Sequence, residues 1–222
     1  MKMEEELEEY ICRHSDPEPE ALWRAWRRSN LQLVGGRMCS GHLQGRFLRM
    51  LVRLTGARHI LEIGCYSGYA TVSLAEGLAE GGSVVTIEHD DELETHIRRT
   101  LRDCGVEDRV HLLIGDALTL MAQMESASID FIFMDADKRQ YPEYYVEARR
   151  LVRPGGLIVA DNTLWDGHVI EAGHSNGPQT AAILRFNDMV AGDPGVEKVI
   201  LPLRDGLSLI RVCENRKTGA KS

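Results

Sequence analysis

The sequence predicts an α/β protein, a mostly parallel sheet with helices on both faces, and three observations predict it. Apolar segments of strand length recur at 59–63, 83–87, 110–114, 129–134 and 156–160. Between them, 69–80, 90–104, 116–124 and 139–152 carry apolar residues at helical spacing. Strands alternating with helices run parallel, because each helix returns the chain to the edge where the last strand began. The third observation is the change of pattern after a helix near 177–191. Val199-Ile200-Leu201 and Leu207-Ser208-Leu209-Ile210 flank Pro202-Leu203-Arg204-Asp205-Gly206, a turn-rich connection short enough for an antiparallel hairpin.

The chain opens differently. Residues 4–14 read as a short amphipathic helix with Leu7, Tyr10 and Ile11 at helical spacing. Asp16-Pro17-Glu18-Pro19 interrupts it, since proline lacks the amide donor and biases its predecessor away from helix. A second helix starts near Glu20 and carries Leu22, Trp23 and Trp26. Large aromatics dominate core and interface burial, so the tryptophans are expected to pack on the main domain or on another subunit, with a substrate lid as the other reading. Gly35-Gly36 forms a joint before Met38-Cys39-Ser40-Gly41, and a helix follows over 42–54, with Phe47, Leu48, Leu51, Val52 and Leu54 on its apolar side. A loop is expected at 161–175.

Composition sets the class. A chain of 222 residues supports one domain with an N-terminal appendage. A net charge of −8 argues against a large nucleic-acid groove. The five cysteines are odd in number and scattered without a CxxC pair, which indicates neither a zinc site nor a disulfide framework and fits a reducing, cytoplasmic setting. No apolar run reaches membrane-span length, and the N-terminus is acidic where a signal peptide is basic.

The chemistry is expected at the carboxyl ends of the strands, where helix N-termini and bare amides point. Ile60, Leu61 and Ile63 lead into Gly64-Cys65-Tyr66-Ser67-Gly68 and then a helix. This loop lacks the middle glycine of G-x-G-x-x-G, so Tyr66 suits a ligand without a diphosphate, such as a nucleoside bearing an amino-acid tail. Glu88 ends the second strand, where a carboxylate can accept from a ribose diol; the bland alternative is a solvated strand end. Asp116 lies at the same edge and could equally cap the next helix, while Ala117 offers its amide to an adenine ring.

Two apolar strands run into acids. Phe131-Ile132-Phe133-Met134 delivers Asp135, and Leu157-Ile158-Val159-Ala160 delivers Asp161 and Asn162. Three hard oxygen donors without a His/Cys pair suit a magnesium-like or calcium-like ion; helix and turn capping is the competing reading. Beside such an ion the ammonium of Lys138 is destabilised by like charge, which suits a general base; its alternative is a surface pair with Asp137.

Leu61-Glu62-Ile63-Gly64 with Ser67-Gly68-Tyr69, Asp135-Ala136-Asp137-Lys138 with Tyr141, Asp161-Asn162-Thr163-Leu164-Trp165-Asp166-Gly167, and Leu201-Pro202-Leu203-Arg204-Asp205-Gly206-Leu207 resemble the cation-dependent O-methyltransferases. These are the S-adenosylmethionine enzymes of the caffeoyl-CoA and catechol type, with their small bacterial relatives. The resemblance covers about residues 35–212. It implies a Rossmann-like class I methyltransferase with a seven-stranded, mostly parallel sheet and an antiparallel last strand. It also implies cofactor contacts at Glu62, Gly64, Cys65, Glu88, Ala117 and Asp137, with Ser40 in a further cofactor-touching stretch; Gly68, Asp116 and Asp135 join this set. Asp135, Asp161 and Asn162 match the metal ligands, magnesium first with manganese or calcium as alternatives. Lys138 matches the base, with Asp135 beside it. Trp165 and Asp166 are expected beside the substrate.

Ala70 stands where the family has a serine, so Ser67 or a backbone amide is expected to meet the methionine carboxylate instead. The domain reading that results is an N-terminal helical segment at 1–34 for the substrate mouth or a dimer contact, a methyltransferase domain at 35–214, and a disordered tail at 215–222. The expected reaction is metal-dependent methyl transfer from S-adenosylmethionine to a hydroxyl of a small catechol-like diol, by a cytoplasmic homodimer. The rivals are the same chemistry on a hydroxylated tRNA nucleoside, based on Arg24, Arg27, Arg28, Arg37, Arg46 and Arg49, and a non-catalytic cofactor-binding protein.

Overall fold

A computed structural model of the chain describes residues 2–171 and 177–213. The expected tail and the end of the 161–175 loop lie outside the described residues. The seven strands follow the order β3-β2-β1-β4-β5-β7-β6 in one sheet. They are β1 (His59–Ile63), β2 (Ser83–Glu88), β3 (Val110–Ile114), β4 (Ile129–Met134), β5 (Val152–Asp161), β6 (Val196–Leu201) and β7 (Leu207–Val212). The helices are α1 (Lys2–Arg13), α2 (Glu20–Gln32), α3 (His42–Thr55), α4 (Tyr69–Gly77), α5 (Glu94–Asp103), α6 (Ala117–Met121), α7 (Tyr141–Leu151) and α8 (Pro178–Gly192). The described residues fall into two compact units, one within 1–58 and 65–114, the other within 59–64 and 115–213.

In the first unit β2 and β3 pair in parallel, Val84 opposite Val110 through Glu88 opposite Ile114. Helices α3 and α4 meet at glycines. A Cβ on Gly45 would sit 2.7 Å from the Ser73 hydroxyl, and one on Gly77 2.7 Å from the Val52 Cβ. The buried face of α3 is Gln44, Gly45, Leu48 and Val52, whereas Leu54, expected inside, is 77% exposed. Helix α2 buries Leu22, Ala25 and Ser29 and leaves Trp23 exposed, with Arg27 stacked over its ring.

In the second unit β1, β4 and β5 are parallel neighbours. Strand β7 inserts antiparallel between β5 and β6, so the terminal hairpin is as expected. Strand β5 starts four residues before the expected 156. Arg153-Pro154-Gly155-Gly156 forms an irregular entry, with Gly155 in the left-handed region and the register against β4 shifting between Ile129 and Phe131. Proline and glycine fit a strand at such a bulge and hide it from the apolar pattern. The core is formed by the apolar runs of β1, β4 and β5 and by α7 and α8, where Phe186 sits edge-on to Tyr141 and Tyr145. Among the described residues no helix is long and apolar enough to cross a membrane.

Candidate active site

The loop between β1 and α4 is bent by sterics and held by one carboxylate. Gly64, Tyr66 and Gly68 all have positive φ. A Cβ at Gly64 would press on the Asp135 carbonyl, 2.7 Å from its carbon, so only glycine fits there. Glu88, buried at the end of β2, accepts from the Cys65 amide at 3.2 Å and the Tyr66 amide at 2.7 Å through one oxygen. Its other oxygen accepts from the amides of His89 and Asp90 at 2.8 and 2.9 Å. Glu88 is thus the clamp of the loop, not a solvated strand end.

Around it, Ser40, Cys65 and Ser67 are buried. Ser67 bonds the Cys39 thiol at 3.3 Å and Cys65 bonds the Thr71 hydroxyl at 3.2 Å. Gly68 caps α4, whose first-turn amides at Tyr69 and Ala70 have no intrahelical acceptor. Hydroxyl acceptors, a helix N-terminus and a turn without room for a diphosphate fit a nucleoside with an amino-acid tail.

The second cluster stands at the ends of β4 and β5. Register pairs Met134 with Ala160, so Asp135 and Asp161 leave adjacent strands at one level. The Asp135 amide extends the ladder by donating to Ile63 O at 2.9 Å. Lys138 is buried and donates to Asp135 Oδ1 at 2.8 Å and to the Tyr141 hydroxyl at 2.7 Å. The surface pair of Lys138 with Asp137 is absent. Asp137 instead binds the Arg139 guanidinium and amide, and the Arg139 bond holds its carboxyl below the usual range.

Tyr141 is fully buried, and its hydroxyl lies 2.9 Å from Asp161 O and 3.1 Å from Met134 O. Burial, and after it the charges of Asp135 and Asp161, push the phenol well above its ordinary range, so it stays protonated.

The β5 exit is sewn to the hairpin turn. Thr163 and Leu164 amides donate to the Gly206 and Asp205 carbonyls at 3.1 and 2.9 Å, and Ser208 bonds Thr163 at 2.9 Å. Asp161 Oδ1 accepts from the Asn162 amide at 2.8 Å, and the Asn162 side chain donates to Asp205 at 3.2 Å. Asp205 also accepts from the Asp166 amide. Asn162, Trp165 and Asp166 all have left-handed backbones; Trp165 is half-buried and Asp166 exposed.

With its NH₂ turned to Asp205, Asn162 keeps its amide oxygen for another partner. Among the described residues no three His, Cys, Asp or Glu side chains are grouped as a metal site. The candidate set is two carboxylates and an amide, and its hard oxygens fit a magnesium-like ion.

Other predicted residues divide. Glu62 is fully buried on β1. Asp116 is the cap of α6, accepting from the Thr119 amide at 2.8 Å, and Ala117 begins that helix. Sequence reasoning gave no role to Tyr141 or Asp205. The signals were there: Tyr141 lies one helical turn past Lys138, and Asp205 sits in an Arg-Asp-Gly turn. Five of the six arginines of the tRNA reading have neighbours within the chain, Arg24 with Glu20, Arg28 with Asp103, Arg46 with Glu76, Arg49 at 3.8 Å from Glu76, and Arg27 over Trp23; the Arg37 side chain lies outside the described residues.

The chain belongs to the O-methyltransferase family, which matches residues 13–213. It is 37% identical over 174 residues to a catechol O-methyltransferase of Niastella koreensis, covering 75% of this chain and 78% of that one. It is 33% identical over 177 residues to caffeoyl-CoA O-methyltransferase 1 of Eucalyptus globulus, covering 76% and 72%. The structure of an O-methyltransferase from Bacillus cereus in complex with SAH superposes with a TM-score of 0.86 at 33% identity, over 93% of this chain and 96% of that one. That of TomG from Streptomyces achromogenes in complex with SAM does so with 0.87 at 30% identity, over 94% and 96%. The protein is an S-adenosylmethionine-dependent O-methyltransferase.

Proposed function

We propose that the chain methylates one hydroxyl of a small vicinal-diol aromatic, with a divalent cation at Asp135, Asp161 and Asn162. The observation that carries this reading is the level delivery of Asp135 and Asp161 by adjacent strands, with Lys138 buried against the first. When bound, the cofactor would supply an electrophilic methyl group, and a cation held by Asp135, Asp161 and Asn162 would make an acceptor hydroxyl more acidic.

The residues' tasks follow from their chemistry. Lys138, in its neutral amine form, would take the hydroxyl proton and become the ammonium, with Asp135 and the Tyr141 hydroxyl holding its nitrogen in place. Trp165 and Asp166 shape the acceptor side. Glu88, held at the end of β2 against the loop amides, would bind the cofactor ribose. Gly64, Cys65, Ser67, Gly68 and Ser40 carry the amino-acid tail; Glu62, Asp116, Ala117, Asp135 and Asp137 complete the cofactor's surroundings. Fixing donor and acceptor in line is the remaining contribution, because displacement at a methyl carbon demands it.

We also propose that the protein works in the cytoplasm as a homodimer, joined through the exposed Leu7, Tyr10 and Trp23 of α1 and α2. The catechol-type relatives support the acceptor class.

The test is a methyl-transfer screen, with and without magnesium, against catechols, hydroxycinnamoyl thioesters and bulk tRNA. Turnover of the diols that is abolished by a chelator and by Asp135→Ala or Asp161→Ala is expected, with cofactor binding retained in Asp161→Ala and largely retained in Asp135→Ala. Full activity in excess chelator refutes the metal reading, and turnover of tRNA alone refutes the acceptor.

A further inference from the structure

The stripe of arginines on α3 faces a cavity of about 440 Å³ in the first unit, apart from the residues assigned above to cofactor and cation. Arg46, Arg49 and Arg53 stand at i, i+3 and i+7, which brings them onto one side of the helix. Arg109, at the entry to β3, lines the same cavity and is anchored by a 3.2 Å bond to the Ala75 carbonyl. Two carboxylates share the lining, Glu76 and Asp16.

Glu76 is taken by Arg46 at 2.7 Å; Arg49 lies 3.8 Å from Glu76 and 3.6 Å from Asp16, beyond hydrogen-bond reach. Two positive charges therefore stand in excess, in a protein whose net charge is −8. Arg46 is only 7% exposed, and its Nε is buried without a hydrogen-bond partner.

We propose that this cavity binds the phosphate group of a small phosphorylated molecule. A phosphate at neutral pH carries close to two negative charges and three accepting oxygens, which matches the charge excess and the forked donors of arginine. A carboxylate brings half the charge. The cavity is larger than one free ion fills, so an organic body attached to the phosphate has room beside the ring of arginines.

The test is calorimetric titration of the full-length protein with glycerol 3-phosphate and with inorganic phosphate, at constant ionic strength set with chloride. Glycerol 3-phosphate has no base or amino-acid tail with which to occupy the cofactor loop. Saturable binding is expected, weakened about ten-fold or more by Arg53→Gln and by Arg109→Gln. Both variants leave the Arg46–Glu76 pair in place, and unchanged S-adenosylmethionine affinity shows that they fold. Tighter binding of the ester supports a phosphorylated metabolite as ligand, and equal affinity supports free phosphate. Absence of saturable binding at millimolar ligand, or equal affinity in wild type and both folded variants, overturns the proposal.

Discussion

Replacing Tyr141 by phenylalanine removes one oxygen that serves three polar partners in the interior. The Lys138 ammonium loses one of its two side-chain acceptors, and a bond to a charged group is worth about 1.5–3 kcal/mol. One buried carbonyl, of Met134 or Asp161, loses its donor, which adds about 1 kcal/mol. The ring stays, and with it the edge contact to Phe186 at 5.4 Å. The expected loss is about 3 kcal/mol, or roughly 6–12 °C in melting midpoint for a chain of this size.

Tyr144→Phe is the control. Its hydroxyl bonds the Gln140 side chain at 2.6 Å, a neutral partner at a partly buried site, so about 1 kcal/mol or less is expected. Calorimetry and urea unfolding of both variants decide. A Tyr141→Phe loss no larger than that of Tyr144→Phe would refute the idea that the buried lysine leans on this hydroxyl.

Further predictions follow from other parts of the chain. Gly64→Ala should cost roughly 2–6 kcal/mol, from the left-handed backbone and the collision with the Asp135 carbonyl together; Gly105→Ala, with φ of 67° and open space around it, should show the backbone part alone in urea unfolding. His96 is held below its ordinary value of 6.5 by burial first and by Arg28 and Arg99 next. The unfolded chain therefore takes up this proton first, so the stability His96 contributes is present above about pH 6.5 and drains away as pH falls towards its folded value. Ser29 on α2 bonds His96 at 3.0 Å, so the fluorescence of Trp23 and Trp26 should report this loosening, and His96→Asn should flatten it. Asp205→Ala should weaken the apparent magnesium affinity about ten-fold or more, measured by activity against free magnesium, because Asn162 loses the partner that orients it.

The strands were legible because their burial is written locally. β1, β3 and β4 coincide with their apolar runs to the residue, with Asp135 directly after β4 and Asp161 as the last residue of β5. The bulged entry of β5 was hidden, since Pro154, Gly155 and Gly156 carry no apolar signal. The inner face of α3 was misread at Leu54 for a different reason: α4 approaches closely at Gly45 and Gly77, so small residues mark the contact better than large ones. Asp116 and Glu88 show the limit at a site. Both stand at strand ends, but the choice between cap and ligand for Asp116, and between ribose acceptor and solvated end for Glu88, turns on amides that lie next to them only after folding, and the clamp that Glu88 forms was not among the readings the sequence offered.

The sequence signals at Tyr141 and Asp205 do not name their partners, which lie on other elements: the ends of β4 and β5 for Tyr141, and the loop after β5 for Asp205. Asp205 reaches two residues some forty positions earlier, the Asn162 side chain and the Asp166 amide, from the turn of a hairpin. Strand β7 of that hairpin runs antiparallel to both its neighbours, β5 and β6, and its insertion puts Leu207 opposite Asp161. The geometry of the loop after β5 is therefore set by the last strand of the chain. A Cβ at Gly206 would lie 2.7 Å from the Leu164 amide, which leaves the turn and the loop one way to fit. Three consecutive features of that loop, the left-handed Asn162, Trp165 and Asp166, are strained conformations that few residues adopt unaided. Their cost is met by the Asp205 carboxylate and the Asp205 and Gly206 carbonyls, so changes in the hairpin turn should reach the proposed acceptor side without touching any proposed ligand.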